Sequence, residues 1–462
     1  MQFKFGTDGW RGIISEDFTL TRVRIAARGI ANYLFARERK ELPLYQKSPE
    51  KASYKAVYRP PSAGMVVGYD SRLLSEDFAR AASEVLASSQ IPVYLSDQAL
   101  PTPAVSLAVT ELLTSGAIMI TASHNPPEYT GVKLFNPDGM AFDSKQQTTI
   151  EKLIKDKNLE LASWMDMQDI RTDKNAVSDH ISMILSTISI KKKMKVVVDS
   201  GCGAASLTTP YLLREMGCDV VTLNSQPDGF FPGRGPEPKE ESLFALRSVV
   251  LGTNADIGIA HDGDADRMVA VDERGEMVSN DKLLAFFGEY EAEKKMVVPV
   301  DASMLIDAVL PDVEIIRTRV GDVFVAEEIK RTGADFGGEA SGTWIFPRVS
   351  YCPDGVYAAS RLVELLSNTT EKFADKLSSM PEYVIKRGSA PYHGNMDKIG
   401  KELLALNFSE IDTIDGFRLT FDDVWVLVRP SGTEPLIRIT VEGKTKQLVD
   451  ELYNKIHKII KG

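Results

Sequence analysis

Short apolar runs that end in Gly, Asp or Ser alternate along this chain with longer stretches whose apolar positions recur at helical spacing. That alternation predicts repeated strand-helix units and mainly parallel sheets, hence an α/β fold class. In the first third the predicted strands are Met65 to Gly68, Pro92 to Leu95 and Ala117 to Thr121, separated by amphipathic stretches such as Ser75 to Leu86. A second series runs through Lys195 to Val198, Asp219 to Leu223 and Ala255 to Ala260. A third is predicted to open with a hairpin, Met268 to Asp272 and Glu276 to Ser279, and to continue through Val297 to Val300 and Glu314 to Thr318. Beyond about Pro381 the pattern changes to a strand pair, Phe417 to Phe421 and Val424 to Arg429, a strand Ile437 to Glu442 and a closing helix Thr445 to Ile460. The expected architecture is three similar α/β domains, 1–160, 161–262 and 263–378, and a smaller C-terminal α+β domain, 379–462. One polar segment, Lys40 to Gly64, reads as a solvated surface insertion.

Composition narrows the function more than the fold. At 462 residues the chain is too long for one core and calls for several domains. Its 43% apolar and 26% charged content is that of a packed soluble protein, which excludes disorder and fibrous structure. A net charge of -11 argues against a nucleic-acid partner, since that affinity comes from Lys and Arg neutralising phosphates. No apolar run reaches about 18 residues and no secretory pattern opens the chain, so no membrane association is expected and a cytoplasmic location is the default. Three cysteines without CxxC spacing argue against a disulfide framework or a zinc site.

Four segments carry chemistry. In Thr121-Ala-Ser-His-Asn-Pro-Pro-Glu-Tyr-Thr-Gly-Val-Lys133, the two prolines stop a helix from following the strand directly. Ser123 is thereby expected at a rigid strand-end corner, the preferred place for reactive groups in open α/β sheets. Asp262-Gly-Asp-Ala-Asp-Arg267 sets three carboxylates at alternate positions after a strand. Such carboxylates repel one another and call for a hard cation, with Mg2+ the best match; apolar Met268, Val269 and Ala270 exclude an EF-hand. Gly337-Gly-Glu-Ala-Ser-Gly342 is either a tight glycine turn or a sugar site, with Glu339 and Ser341 as an acceptor and a hydroxyl. Arg429-Pro-Ser-Gly-Thr-Glu-Pro-Leu-Ile-Arg438 reads as a loop with the donors of a phosphate pocket: guanidinium groups, hydroxyls and free amides around Gly432.

Taken in order, and with Phe5-Gly-Thr-Asp-Gly-Trp-Arg-Gly12 before them, these segments resemble those of the α-D-phosphohexomutase family over nearly the whole chain. The family includes phosphoglucomutase, phosphomannomutase and phosphoglucosamine mutase. The resemblance implies a heart-shaped four-domain architecture, Ser123 as the phosphoserine, and Asp262, Asp264 and Asp266 as Mg2+ ligands together with the serine phosphate. It implies Lys133 and Arg267 beside the reacting oxygens, His124 next to the phosphoserine and Arg11 near it. Glu339 and Ser341 fall on the sugar contacts, and Arg429, Ser431, Gly432 and Thr433 on the phosphate site. Two departures stand out: Ala265 where many relatives have Gly, and Thr343 where many have His.

The implied reaction interconverts hexose 1-phosphate and hexose 6-phosphate through phosphoserine and a sugar 1,6-bisphosphate, in the manner of a phosphomannomutase or phosphoglucomutase. Phosphoglucosamine mutase is the alternative, and the sequence leaves the sugar open. A metal-dependent phosphatase and an inactive sugar-phosphate sensor are the more distant readings. The expected partner is a small hexose phosphate, with the chain a monomer or homodimer.

Overall fold

A computed structural model of the protein describes residues 3–6, 9–40, 57–154, 161, 163, 165, 167–391, 396–430 and 436–461. The chain divides into two compact units, Met1–Val278 with Lys330–Thr332 and Ser341–Asp375, and Ser279–Ile329 with Gly333–Ala340 and Lys376–Gly462.

The first unit holds two sheets. Strands β1 (Trp10–Ile13), β2 (Met65–Tyr69), β3 (Val93–Ser96), β4 (Ala117–Ile120), β5 (Tyr129–Phe135) and β6 (Ile170–Asp173) form one sheet in the order β1-β5-β4-β2-β3-β6. Its β4, β2, β3 and β6 are parallel neighbours, whereas β5 runs antiparallel to β4 and to β1. Strands β2 and β4 are buried at every position, which is why they read as unbroken apolar runs. On this sheet Trp10 stacks on Phe18 at 4.5 Å between ring centroids, and Phe18 meets Phe78 edge-on at 4.8 Å, tying the N-terminal strand to helix Ser75–Ser88.

The second sheet comprises β7 (Lys195–Asp199), β8 (Asp219–Leu223), β9 (Ile257–His261) and β10 (Met268–Val271) in the order β10-β9-β7-β8. The expected hairpin is present in outline, with Asp272 N donating to the Glu276 carbonyl and Val278 N to the Ala270 carbonyl, each at 2.9 Å, around an antiparallel bridge from Val271 to Met277, but its place is corrected. Strand β10 pairs antiparallel with β9. The apolar run Met268–Val271 therefore continues the sheet that carries the aspartate turn and does not open the next one.

The other unit builds β11 (Lys295–Pro299), β12 (Glu314–Thr318) and β13 (Phe336–Glu339) into a parallel arrangement with β11 central. After the short strand β14 (Thr343–Ile345), the chain forms a fully antiparallel sheet from β15 (Val384–Pro391), β16 (Glu410–Asp412), β17 (Phe417–Phe421), β18 (Val424–Pro430) and β19 (Leu436–Gly443), ordered β15-β19-β18-β17-β16. Helix Lys446–Lys461 follows it. Fully buried Glu442 accepts hydrogen bonds from Trp425 Nε1 at 2.7 Å, Met304 N at 2.8 Å and Ser303 Oγ. A buried acceptor satisfied three times locks the antiparallel sheet to the loop after β11. Three α/β sheets and one antiparallel C-terminal sheet are the architecture expected from the sequence.

Of the Lys40 to Gly64 insertion, residues 41–56 lie outside the described residues. Its end is anchored and not wholly solvated: Arg59 Nη1 donates to the carbonyls of Val109, Thr114 and Pro137 at 3.0 to 3.1 Å. All three cysteines are buried free thiols. Among the described residues, no helix is long and apolar enough to cross a membrane.

Candidate active site

The serine corner is held from beneath by an arginine that sequence reasoning missed. Arg72 follows β2 and is buried; its Nη1 donates to the carbonyls of Pro126 and Tyr129, each at 2.8 Å. Its Nη2 donates to those of Ser123 at 2.7 Å and Asn125 at 2.6 Å, and its Nε to Asp70 Oδ2 at 3.1 Å. Asp70 in turn accepts from Thr121 Oγ1 at 2.7 Å, and Thr121 Oγ1 accepts from Ser123 N at 2.8 Å. This framework holds Ser123 at φ +50°, a left-handed conformation that costs an ordinary residue about 1–2 kcal/mol. The signal in the sequence was the Asp-x-Arg step directly after an apolar strand, but its partners lie 51 to 57 residues away.

The turn between β9 and β10 brings the three carboxylates to the same corner. Ser123 Oγ donates to Asp262 Oδ2 at 2.8 Å, and ligand oxygens of Asp262, Asp264 and Asp266 lie within 4.8 Å of one another. Backbone contact is just as close: a Cβ on Gly263 would fall 2.5 Å from the Ser123 carbonyl oxygen, so only glycine fits there. Ala265 is buried at φ +57°. Its left-handed backbone explains why glycine suits this position, and the alanine leaves all three carboxylates in place. Thr102, also missed from sequence, pins the turn by donating Oγ1 to Asp264 Oδ2 at 2.6 Å and N to the Asp264 carbonyl at 2.9 Å. Its hint was the Pro101-Thr102-Pro103 start of a helix.

The donor set fits a hard divalent cation. Asp264 Oδ1 is buried and, among the described residues, without a hydrogen-bond partner, an arrangement that costs free energy unless a positive ligand faces it. Burial, followed by the charges of Asp266 and Asp264, pushes the Asp262 carboxyl well above its ordinary range. Burial acts the same way on Asp264, but Lys133 and the Thr102 hydroxyl outweigh it and hold that carboxyl low. Lys133 Nζ lies 2.6 Å from Asp266 Oδ2 and 3.2 Å from Asp264 Oδ2. Lys133, at the end of the serine segment, stands on β5, paired with Met119 of β4. The turn thus ends at Glu128, and the strand carries the lysine into the carboxylate cluster.

His124 Nδ1 is 3.2 Å from Ser123 Oγ. Burial first, then the charges of Arg267, Arg11 and Lys133, lower its pKa to about 2, so the ring is neutral. Arg11, on β1, donates through Nη1 to Asn125 Oδ1 of the serine loop. Arg267 N donates to Asp262 Oδ1 at 3.1 Å. His261 is buried, which lowers its pKa to about 4, and its Nδ1 donates to the Arg267 carbonyl at 3.0 Å. Nε2 of this neutral ring is then the acceptor, taking the Thr209 hydroxyl at 3.0 Å.

Ser341 and Thr343 sit beside this cluster: their hydroxyls are 3.2 Å apart, Thr343 bridges Arg267, and the Gly342 carbonyl accepts Met268 N at 3.0 Å. Glu339 and Arg429 belong to the other unit. There Glu339 Oε1 accepts Gly321 N at 2.7 Å, and Arg429 Nη1 donates to Asp415 Oδ2 at 3.2 Å. The expected Arg429–Arg438 loop is shorter than read, since β18 extends through Pro430 and Arg438 pairs with Arg429 across to β19. Ser431, Gly432 and Thr433 lie outside the described residues.

Comparison with known proteins finds likeness over most of the chain. Residues 52–160, 177–275 and 279–383 match the alpha/beta/alpha domains I, II and III of phosphoglucomutase/phosphomannomutase, and 389–459 its C-terminal domain. A probable phosphoglucosamine mutase of Methanocella arvoryzae is 52% identical over 349 residues, 74% of this chain and 79% of that protein. One of Methanothermobacter thermautotrophicus is 44% identical over 452 residues, covering 96% and 94%. The structure of a phosphoglucomutase/phosphomannomutase family protein from Burkholderia thailandensis superposes with a TM-score of 0.84 at 24% identity, over 99% of this chain and 98% of that one, a likeness of fold.

Proposed function

Since the chain belongs to the phosphoglucomutase/phosphomannomutase family, and is thereby a phosphohexomutase, we propose that its substrate is glucosamine phosphate. Relatives identical at 44 to 52% carry the name of phosphoglucosamine mutase, which favours that sugar among the three left open by the sequence. The observation that carries the mechanism is the hydroxyl of Ser123, held in a left-handed corner 2.8 Å from a buried carboxylate cluster.

In this reading Ser123 Oγ carries the phosphoryl group and donates it to the free C1 or C6 hydroxyl. A sugar 1,6-bisphosphate forms, turns end over end and returns the other phosphate to Ser123. Asp262, Asp264 and Asp266 would hold Mg2+, which when bound supplies positive charge to the oxygens of the transferring group. Lys133 holds or moves the hydroxyl proton, because its buried ammonium reaches into the cluster, 2.6 Å from Asp266 Oδ2 and 3.2 Å from Asp264 Oδ2. Neutral His124 and Arg11 steady the serine loop, and Arg267 lies beside the reacting oxygens. Glu339 and Ser341 take sugar hydroxyls. Arg429, with Ser431, Gly432 and Thr433, grips whichever phosphate is not reacting, a duty a phosphatase has no need of.

The test is product analysis with glucosamine, glucose and mannose 1-phosphates, each with a trace of its bisphosphate. The expected result is the highest kcat/KM for glucosamine 1-phosphate. A preference for glucose or mannose overturns the assignment of the sugar, and release of inorganic phosphate in place of the 6-phosphate overturns mutase chemistry.

A further inference from the structure

We propose that Asp415 is a positioning residue which, through one loop of the third sheet, fixes the spacing between the phosphate-binding Arg429 and the sugar-binding Glu339; this rests on the roles given to those two residues above. Asp415 Oδ2 accepts two hydrogen bonds, from Arg429 Nη1 at 3.2 Å and from Val320 N at 3.2 Å. The next amide along, Gly321 N, donates to Glu339 Oε1 at 2.7 Å. Two successive amides of the segment between β12 and helix Asp322–Thr332 therefore hold the two carboxylates, one of which carries the guanidinium.

The local backbone is built for that arrangement. Gly321 adopts φ +135°, a conformation closed to residues with a Cβ, which lets its amide and that of Val320 serve different partners. Gly416, beside Asp415, has φ +92°, and a Cβ there would lie 2.4 Å from the Val428 carbonyl oxygen and 2.7 Å from Arg429 Cβ. The Asp415-Gly416 turn is thus pressed directly onto the base of the Arg429 side chain. Asp415 engages a single N–H of a group that has five, leaving the planar fork its geometry for a bidentate phosphate contact. An oxygen already pinned by a backbone amide aims the guanidinium. The distance from sugar hydroxyl to distal phosphate is then read against a rigid pair, which serves a sugar bound in either orientation.

The experiment measures kcat and KM for Asp415→Ala, Asp415→Asn and Arg429→Ala with glucosamine 1-phosphate and glucosamine 6-phosphate separately, together with bisphosphate escaped per turnover. Asp415→Ala is expected to raise KM about 10-fold for both substrates and to raise escape, with kcat within about 3-fold of the parent, since it removes a hydrogen bond to a charged group. Asp415→Asn keeps an oxygen for both donors and is expected to stay within about 3-fold of the parent KM. If Arg429→Ala raises KM while Asp415→Ala leaves it unchanged, this proposal fails and the phosphate role of Arg429 stands. If Arg429→Ala itself leaves KM unchanged, the underlying reading falls and takes this one with it. Equal damage from the Asn and Ala changes overturns positioning through hydrogen bonds. Should Asp415→Ala not fold, Gly321→Ala serves in its place, because a Cβ at φ +135° displaces both amides; an unaltered KM for both substrates there also overturns the proposal.

Discussion

Replacing Arg72 by lysine separates the charge of this residue from its geometry. The guanidinium makes four hydrogen bonds to carbonyls of the serine loop and one to Asp70. An ammonium keeps the positive charge but offers three donors from one point, so it reaches at most two of those carbonyls while still facing Asp70. At least two carbonyl bonds are lost, and each hydrogen bond to a charged group contributes about 1.5–3 kcal/mol, so the loop loses about 3–6 kcal/mol of local ordering. Misplacing a reacting group by about 1 Å costs about 100-fold in rate, and that is the fall expected in kcat, with KM nearly unchanged because Arg72 is buried and engages protein carbonyls and Asp70. The assay combines steady-state kinetics with amide exchange over residues 121–129, which is expected to speed up selectively, and a melting curve to show that the rest of the protein is intact. An Arg72→Lys variant with kcat within twofold of the parent and unaltered exchange in 121–129 would refute the argument that Arg72 shapes the corner.

Three further outcomes follow from the same geometry. Ser123→Ala is expected to lose almost all turnover while melting like the parent, and mass spectrometry of active protein should find a phosphoryl group on Ser123; full activity in the variant would end its role as carrier. Asp264→Asn is expected to raise the Mg2+ concentration needed for half-maximal rate by about 10-fold or more, since a formal charge facing the cation is lost; unchanged turnover after exhaustive chelation would contradict the metal site. Burial raises the Asp281 pKa to about 6 from 3.8, so its contribution favours folding below pH 3.8 and is lost as pH rises through 6. The cost above pH 6 is about 3 kcal/mol, so Asp281→Asn is expected to melt higher than the parent at pH 8 and to converge with it near pH 4; a constant difference across that range would count against the shift.

How much of this was legible in the sequence depended on whether the signal was local. Strands β2 and β4 are apolar throughout, and β7 and β9 have apolar, buried centres, so each was recognisable from its own residues. Strand β5 was not, since Thr130, Gly131 and Lys133 break its apolar run; glycine is required there because a Cβ would meet the Trp10 carbonyl oxygen at 2.5 Å. Exposed β6 and the largely exposed β15 lack a buried face that would leave an alternating pattern. In the candidate site, Ser123 and the three aspartates stood out because each lies in a short local motif, and the structure brings the two motifs together. Arg72 and Thr102 act on atoms far along the chain, and Asp415 accepts from a backbone amide 95 residues away, so local hints such as the Asp-x-Arg step could not name their partners.

The close approach of Gly263 to the Ser123 carbonyl, with Arg72 bonded to that same carbonyl, restricts how this enzyme can move. The serine corner hangs from one sheet and the aspartate turn from another, so a hinge between the two sheets would have been the simplest way to open a site lying at their junction. That hinge has little room to work: Gly263 meets the Ser123 carbonyl backbone to backbone, and Ser123 Oγ donates to Asp262 Oδ2 at 2.8 Å beside it. In the proposed mechanism Ser123 and the three aspartates would then travel as one piece through the catalytic cycle, and a bisphosphate turning over above them would meet the same floor when it settles in its second orientation as in its first.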